Sequence, residues 1–424
     1  MKVLLISANT EQFAMPTMPL GLFCVAEATR RAGHEVTLLD LMPDNKGEAE
    51  LSQVLADFQP ECIGISVRNI DDQQMASPRF FLDKIKDVAA VCRQCSQAPI
   101  VLGGAGYSIF PESVLAYLDG DFGIEGEGEI VFPLLLARLE QGGDIAALPG
   151  VLRRGHGARR GKHLCGNLDD LPLPGPETLS SRGSINPGLW VPVQTRRGCS
   201  LDCSYCSTPA IEGRLARKRS PQLVASWIEQ WVQAGYRNFY FVDNTFNLPD
   251  EYAKDLCRRL RDKKLSINLQ CILYPRQVDK ELVALMAGAG CRQVSLGFES
   301  GSPRILAMMN KRFTLEDIRS ASAMLADCGI EQMGFLLLGG PGETRESVEE
   351  SLGFADSLEL TSLKLTAGIR IYPNTPLAEI AARQGLFTSQ ADLLFPHFYL
   401  EKALDRWLPE RLKKWKESRP HVMF

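Results

Sequence analysis

Three cysteines stand close together in the stretch RRGCSLDCSYCSTP. Cys199, Cys203 and Cys206 have the spacing C-x3-C-x2-C, and thiolates are ligands for zinc and for iron–sulfur clusters. A structural zinc site has four ligands, whereas three thiolates can bind three irons of a 4Fe-4S cluster and leave the fourth iron open. The spacing therefore favours a 4Fe-4S cluster with room for another molecule. The alternative is a zinc site completed by His163 or His397.

The cysteines come directly after the first strand of a long series in which apolar strands alternate with helices. Such a series predicts an open, incomplete (β/α)6 barrel, in which chemistry gathers at the carboxyl ends of the strands. The predicted strands are 191–195, 238–243, 267–273, 291–298, 332–339 and 362–372, separated by helices near 221–235, 250–263, 279–289, 314–328 and 344–357.

The first part of the chain shows a second alternation of this kind. It predicts an α/β fold with a Rossmann-like, doubly wound parallel sheet, whose ligand lies at the carboxyl ends of its strands. The predicted strands are 2–7, 35–40, 62–67, 99–104 and 122–124, with helices at 19–33, 49–58, 77–94 and 111–118. The predicted domains are a Rossmann-like domain at 1–154, a Gly- and Pro-rich linker at 155–190, a partial barrel at 191–380 and a helical C-terminal extension at 381–424.

Composition sets the broad class of the protein. The chain has 424 residues, 45% of them hydrophobic, and a net charge of -4 with both signs interspersed. These values indicate a globular protein and do not favour nucleic acid as a partner. No apolar run approaches the length of roughly 20 residues that spans a bilayer, and the N-terminus lacks a secretory pattern. Dispersed cysteines indicate a reducing compartment, so we expect a cytoplasmic protein.

The cysteine motif, with Tyr205 before its last cysteine and a barrel strand ahead of it, resembles the signature of the radical S-adenosylmethionine enzymes. The likeness extends over about 191–376. In that family, S-adenosylmethionine chelates the open iron, and its reductive cleavage releases a 5'-deoxyadenosyl radical. The resemblance implies a 4Fe-4S cluster held by the three cysteines, S-adenosylmethionine as cofactor, and an electron donor such as flavodoxin or ferredoxin.

Further strand ends resemble the segments that contact S-adenosylmethionine in this family. They are FVDNTF, GFESGS, GFLLLGGPGET and IRIYPNTPL. The cobalamin-dependent branch often has two adjacent Asp residues in the first segment, so the division of work between Asp243 and Asn244 stays open. The resemblance implies that Asp243 and Asn244 accept hydrogen bonds from the methionyl ammonium, that Glu299 and Ser300 contact the ribose and carboxylate, and that Gly339, Gly340, Ile371 and Tyr372 border the adenine.

The first domain resembles the cobalamin-binding domain that precedes many radical S-adenosylmethionine enzymes. The likeness rests on MPLGLFCVAEATRRAGHEVTLLD, IVLGGAGYSIFPESVL and GIEGEGEIVFPLLL, and no G-x-G-x-x-G follows the first strand as a dinucleotide site requires. The D-x-H-x-x-G segment is absent, so cobalt is expected to lack a protein imidazole. The resemblance implies cobalamin contacts at Gly103, Gly104, Glu125 and Gly126, and at Arg68 and Asn69 near the lower face; Arg68 as a surface cation paired with a carboxylate is an open alternative.

The two resemblances together imply an enzyme of the cobalamin-dependent radical branch. The leading hypothesis is methylation of an unactivated carbon of a small molecule, lipid or peptide, with methylcobalamin and the 5'-deoxyadenosyl radical. The alternatives are a cyclase or rearrangement enzyme that transfers no methyl, and a non-catalytic zinc- and cobalamin-binding protein. Residues 385–424 predict amphipathic helix with a break at Pro409, packed on the barrel; a membrane contact or a substrate lid are the alternatives.

Overall fold

The computed structural model describes residues 1–11, 18–42, 47–156, 161–182 and 188–424. Its first part is a six-stranded sheet of order β2-β1-β3-β4-β5-β6, in which all neighbours are parallel except β5 and β6. The strands are β1 (Lys2–Ser7), β2 (Glu35–Asp40), β3 (Cys62–Ser66), β4 (Ile100–Gly103), β5 (Phe122–Ile124) and β6 (Val151–Arg153), and the helices are α1 (Leu20–Arg31), α2 (Gly47–Phe58), α3 (Leu82–Cys95), α4 (Ala105–Ile109), α5 (Pro111–Tyr117) and α6 (Gly128–Gln141).

This sheet agrees with the predicted doubly wound fold. Its central strands are buried on both faces, as parallel strands covered by helices must be. The prediction did not include α4, α6 or the antiparallel edge strand β6. Helix α3 begins at Leu82 rather than near Ser77, because the preceding residues leave the sheet and reach the second part of the molecule.

The second part is a seven-stranded, all-parallel sheet of order β17-β14-β13-β12-β11-β10-β7. Along its strands, buried residues that pack against the helices alternate with half-buried residues that face the opposite side. Outside this sheet, β8 pairs with β9 and β15 pairs with β16, each pair antiparallel. The strands of the second part are β7 (Trp190–Val193), β8 (Arg196–Arg197), β9 (Arg217–Lys218), β10 (Asn238–Phe241), β11 (Asn268–Leu273), β12 (Cys291–Glu299), β13 (Glu331–Leu338), β14 (Ser362–Ala367), β15 (Ile369–Arg370), β16 (Phe398–Tyr399) and β17 (Val422–Met423).

The helices of this part cover the outer face of the sheet, as predicted. Strand 362–372 of the prediction is in fact two strands, because Gly368 has φ +79° and turns the chain between β14 and β15. The helices are α7 (Thr208–Glu212), α8 (Pro221–Gln233), α9 (Asp250–Asp262), α10 (Lys280–Gly288), α11 (Pro303–Met308), α12 (Leu315–Asp327), α13 (Arg345–Asp356), α14 (Pro376–Arg383) and α15 (Trp407–Lys416).

The C-terminal residues complete the barrel sheet. Helix α15 buries Leu408, Leu412 and Trp415 in the same core as the barrel helices. The predicted break at Pro409 is wrong, because this residue lies in the first turn of α15, where proline costs no helical hydrogen bond. Strand β17 then pairs with β14, so the extension is not purely helical. Within the described ranges, no helix is long and apolar enough to cross a membrane.

The described part of the predicted linker is bound to the barrel. Arg219 donates hydrogen bonds to the carbonyl oxygens of Leu168 (2.5 Å) and Leu171 (2.8 Å). The indole of Trp227 donates to the carbonyl of Pro174 at 2.8 Å. Barrel side chains thus supply hydrogen-bond donors to backbone carbonyl groups of the linker, which has little regular structure in which to pair them.

A buried ion pair joins the two parts of the molecule. Arg370 on β15 donates to the carboxylate of Asp71, which follows β3, at 2.7 Å, and both side chains are at most 3% exposed. The other guanidinium N–H groups donate to the carbonyls of Ile371, Leu393 and Leu394. Because a buried charge is stable only when it is paired and hydrogen-bonded, this pair fixes the segment after β3 on the barrel.

A carboxyl group is also buried in the glycine turn after β13. The N–H groups of Gly339 and Gly340 donate to Oε2 of Glu343, and Oε1 of this 1% exposed side chain has no hydrogen-bond partner. Gly339 has φ +96°, and an added Cβ would lie 2.4 Å from a methyl group of Leu400. Burial raises the pKa of Glu343 to about 7, although the two N–H donors act in the opposite direction.

We expect Arg370→Met to lower the free energy of unfolding by about 3–5 kcal/mol, because it leaves the Asp71 carboxylate buried and unpaired. Thermal unfolding should show a lower Tm, and trypsin should cut sooner after Arg79. Arg411→Met is the matched control: it removes a partly exposed pair with Glu349, worth at most about 1 kcal/mol. Equal losses in the two variants would contradict the role of the buried pair.

The raised pKa of Glu343 makes stability depend on pH. Its folded-state pKa lies above the ordinary 4.5, so between those values the folded chain keeps a proton that the unfolded chain has released, and stability falls as pH rises. Glu343→Gln should remove this loss and stabilise the protein by up to about 3 kcal/mol near pH 8. Urea unfolding at a series of pH values measures it. A slope unchanged from wild type would refute the assignment, and the exposed Glu350→Gln variant is the control.

Candidate active site

The three cysteines of the predicted cluster site lie on one loop after β8. All three are half-buried, and burial raises the pKa of the Cys199 and Cys203 thiols. The nearby Cys206 thiol raises both pKa values further, so the three sulfur atoms are close enough to repel one another as thiolates. Among the described residues, no three His, Cys, Asp or Glu side chains are arranged to hold a single metal ion.

Two adjacent buried arginines precede the cysteine loop and extend in different directions. Arg196 approaches Asp243 of the barrel at 3.5 Å and donates to the carbonyl of Phe246 at 2.7 Å. Arg197 reaches the first part of the molecule, where it donates to Glu129 at 2.6 Å. Although burial alone would have the opposite effect, the Glu129 carboxylate raises the pKa of Arg197 and Arg197 lowers that of Glu129. The loop is thus fixed to both parts.

Asp243 is 1% exposed and is already fully hydrogen-bonded. Its oxygens accept from the backbone N–H and hydroxyl of Thr195 at 2.7 and 2.5 Å and from the N–H of Arg196 at 3.1 Å. Burial raises its pKa despite these bonds. This carboxylate anchors the strand that leads to the cysteines and presents no surface to a methionyl ammonium. In this segment, Asn244 is therefore the remaining candidate for a hydrogen bond to that ammonium.

Asn244 lies beside the cysteine loop and contacts a carboxylate that the sequence analysis did not single out. Its amide donates to Glu212 at 2.8 Å, and the same Glu212 oxygen accepts from the N–H of Gly198 at 3.0 Å. Burial raises the pKa of Glu212, which these two bonds partly offset. Glu212 also lines a cavity between the two parts of the molecule, so it lies between the loop and that cavity.

Tyr205 and Glu299, both predicted cofactor contacts, form a buried network with Lys311. The Tyr205 hydroxyl donates to Glu299 at 3.0 Å, and Lys311 donates to that hydroxyl at 2.9 Å and to Glu299 at 3.3 Å. Glu299 has φ +63° at the end of β12, which aims its side chain away from the strand direction. Burial disfavours the Lys311 charge, but Glu299 and Tyr205 outweigh it and raise the pKa of Lys311.

Other predicted contacts at the strand ends are enclosed in protein. Ser300 is fully buried, and its hydroxyl is bonded to Ser351 at 2.9 Å and to the N–H of Ser302 at 3.1 Å. Gly339 and Gly340 are buried, and their N–H groups are taken by Glu343. The polar groups of these residues are therefore hydrogen-bonded within the protein and support the ends of β12 and β13.

At the end of β15, Ile371 and Tyr372 have different surroundings. Ile371 is fully buried, and its N–H bonds the carbonyl of His397. Tyr372 is half-buried beside the segment after β3, and burial, followed by the Asp71 charge, raises its pKa. The Cys206 thiol adds to this effect, so Tyr372 lies near the cysteine loop.

A cavity of about 440 Å³ lies between the two parts, at the carboxyl ends of β1, β3 and β4. Gly103, Gly104 and Gly126, three of the residues predicted to contact cobalamin, line it. Gly104 has φ +105°, and an added Cβ would lie 2.6 Å from the carbonyl oxygen of Val67. Position 104 therefore requires glycine, because a side chain would collide with the backbone that follows β3.

The remaining predicted cobalamin residues are divided around this cavity. Arg68 is solvent-accessible within it, and the surrounding protein lowers its pKa. Asn69 does not line it but borders a small neighbouring pocket together with Arg68. Glu125 does not line the cavity and faces Lys162 at 4.0 Å, whereas Glu127 and Glu129, further along the chain, line the cavity wall.

Several functional candidates were missed because their partners are far away in the sequence. The sequence around them shows no local motif beyond an Arg-Arg pair and a run in which Glu alternates with other residues. The missed residues are Arg197, Glu212, Lys311, Glu127 and Glu129. The Arg-Arg pair directly before the cysteine loop could have indicated buried carboxylates nearby, since two adjacent cations in a buried strand need carboxylate partners.

Comparison with known proteins agrees with this architecture. The profile of the Radical SAM superfamily matches residues 193–355, and that of the B12 binding domain matches residues 6–136. An uncharacterised methyltransferase of Pyrococcus horikoshii is 27% identical over 398 residues, which cover 91% of this chain and 84% of that relative. Tryptophan 2-C-methyltransferase of Streptomyces laurentii is 25% identical over 449 residues, covering 89% of this chain and 74% of the relative.

Solved structures show the same fold. The methyltransferase TsrM of Kitasatospora setae, with tryptophan and an S-adenosylmethionine analogue bound, matches with a TM-score of 0.89 at 24% identity, covering 100% of this chain and 90% of that one. The cobalamin-dependent enzyme OxsB, with cobalamin and S-adenosylmethionine bound, matches with a TM-score of 0.80 at 17% identity, covering 98% and 66%.

The two matched domains together account for more than half of the chain. A radical SAM domain implies a 4Fe-4S cluster and S-adenosylmethionine, and a B12 binding domain implies cobalamin. The three half-buried thiols on one loop, and the glycine-lined cavity at the strand ends of the first sheet, are the donors and the space available to these groups. The chain belongs to the cobalamin-dependent radical S-adenosylmethionine enzymes, and its relatives among them include methyltransferases.

Proposed function

We propose that this enzyme transfers a methyl group from cobalamin to a carbon atom of a small molecule. The observation that carries the proposal is the buried pair between Arg197, next to the cysteine loop, and Glu129, in the wall of the glycine-lined cavity. This pair joins the cysteine loop to the cavity wall, and Glu212, in the helix after that loop, also lines the cavity. A substrate beside this wall would lie close to both cofactors.

Different residues of the chain would bind the cluster, S-adenosylmethionine and cobalamin. When bound, the cluster and S-adenosylmethionine supply a carbon-centred radical, and cobalamin supplies the methyl group. Cys199, Cys203 and Cys206 hold the cluster, and Asn244, Glu299 and Tyr372 surround it as contacts for S-adenosylmethionine. Gly103, Gly104 and Gly126 would admit the corrinoid, and Arg68, which lines the same cavity, would contact it.

The relatives support a small-molecule substrate. They include methyltransferases named for tryptophan and for cytidylyl-2-hydroxyethylphosphonate. A lipid is the second candidate, since a hopanoid C-3 methylase of Methylococcus capsulatus is 27% identical over 341 residues. We further propose a flavodoxin or ferredoxin as electron donor and a cytoplasmic location, which the free state of all twelve cysteines supports.

The transfer of a methyl group can be tested with S-adenosylmethionine that carries a trideuteromethyl group. The reconstituted enzyme, a reductant and a metabolite extract of the source cells should yield a product with one trideuteromethyl group. A substrate that is consumed without gaining the label would instead establish the cyclase or rearrangement alternative.

Loss of one cluster ligand should abolish the reaction at its first step. We expect Cys203→Ala, after anaerobic reconstitution, to lose the broad iron–sulfur absorbance and at least about 1000-fold of S-adenosylmethionine cleavage, a barrier increase of roughly 4 kcal/mol. Cys328→Ala changes an exposed thiol outside the site and should retain both signals. Full cleavage by the Cys203→Ala variant would reject the cluster assignment.

A further inference from the structure

The segment that follows α11 lies against the cysteine loop. The carbonyl of Met309 accepts a hydrogen bond from the N–H of Ser204 at 3.1 Å. The side-chain amide of Asn310 donates to the carbonyl of Asp202 at 2.8 Å. These two bonds attach the segment to the loop on either side of Cys203, so this cluster ligand has a fixed neighbour outside its own loop.

The same segment is also held on the side away from the loop. Asn310 has φ +57°, in the left-handed region, which turns the chain directly after α11. The N–H of Lys311 then bonds the carbonyl of Leu306 at 2.9 Å, and the N–H of Arg312 donates to the hydroxyl of Tyr274 at 2.9 Å. The backbone of Lys311 therefore cannot move away from the loop without breaking these bonds.

From this backbone position the side chain of Lys311 reaches the surroundings of Cys203. It is 5% exposed, and its ammonium donates to the Tyr205 hydroxyl at 2.9 Å and to the Glu299 carboxylate at 3.3 Å. The Cys203 thiol is also within hydrogen-bond reach of the ammonium. An ammonium group has three donors, and here a tyrosine, a carboxylate and a cluster ligand account for all three.

Lys311 and Glu299 do not cancel each other at Cys203. Burial raises the pKa of the Cys203 thiol, and the Lys311 charge opposes this rise more strongly than the Glu299 charge adds to it. The buried pair therefore acts on this thiolate ligand as a net positive charge. Because the pair is removed from water, the solvent screens its effect only weakly.

The reduction potential of an iron–sulfur cluster depends on its surrounding charge and on hydrogen bonds to its sulfur atoms. Reduction adds one electron from the donor, and so one negative charge, without making or breaking a bond. We propose that Lys311, acting through the Cys203 ligand as a positioning residue, raises the reduction potential of the cluster. This role rests on the cluster assignment of the proposed function. A donor of given strength would then keep a larger fraction of the enzyme reduced.

Potentiometric titration of the anaerobically reconstituted protein tests the proposal without S-adenosylmethionine or substrate, with the EPR signal of the reduced cluster as readout. In Lys311→Met the equilibrium constant for reduction should fall at least about tenfold, which is a midpoint potential lower by about 59 mV. In Lys311→Arg the constant should stay within about threefold of wild type, because the charge is kept. A role confined to packing would not produce this difference.

Lys263→Met is the matched control. It removes a half-buried lysine, paired with Glu229 at 2.6 Å, at the end of α9 and should leave the midpoint potential unchanged. Glu299→Gln tests the opposite sign: it removes the anion of the pair and keeps a side-chain carbonyl that can accept from Lys311. Its equilibrium constant for reduction should rise at least about threefold.

A wild-type potential in Lys311→Met would overturn the proposal. If Lys311→Met takes up no cluster, the Glu299→Gln variant decides: a higher potential supports the role of the buried pair, and an equal or lower one overturns it. Iron content and absorbance, measured before the titration, show whether the wild-type protein holds a cluster. Wild-type protein without one would reject the cluster assignment itself, whereas a cluster with unshifted potentials in the variants would reject only the role of Lys311.

Discussion

The position of the cysteine loop depends on two neighbouring arginines that are both removed from water. A buried guanidinium needs a carboxylate and further acceptors, and Arg196 finds them within the barrel while Arg197 finds them in the first domain. The directions of the two side chains therefore determine where the loop can lie. Because the loop carries the cluster ligands, one electrostatic requirement fixes the distance between the cluster site and the cobalamin cavity.

A second tie joins the two parts of the molecule at another place. Asp71 and Arg370 hold the segment after β3 against β15, and this segment contains Arg68, which lines the cavity. Two ties at separate points prevent one part from rotating against the other about a single contact. Both are desolvated, so salt should weaken them little compared with surface pairs. Reactions that require two large cofactors and a substrate to meet need such fixed separation.

The sequence predicted most strands to within two residues, because burial on both faces gives continuous apolar runs and helices give a 3.6-residue period. The cysteine motif was equally readable, since its spacing is local. The roles of Asp243 and Ser300 could not be predicted in this way, because each forms hydrogen bonds to a residue about 50 positions away in the sequence. A motif position specifies a place at a strand end; whether its side chain faces the ligand depends on contacts that only the folded chain makes.

The buried charges of this protein fall into two groups with different consequences. Arg196, Arg197 and Arg370 obtain carboxylate and carbonyl acceptors from the chain itself, so their burial fixes structure. Glu343 receives two backbone N–H donors on one carboxylate oxygen and none on the other, so burial raises its pKa and makes the stability of the protein fall as pH rises.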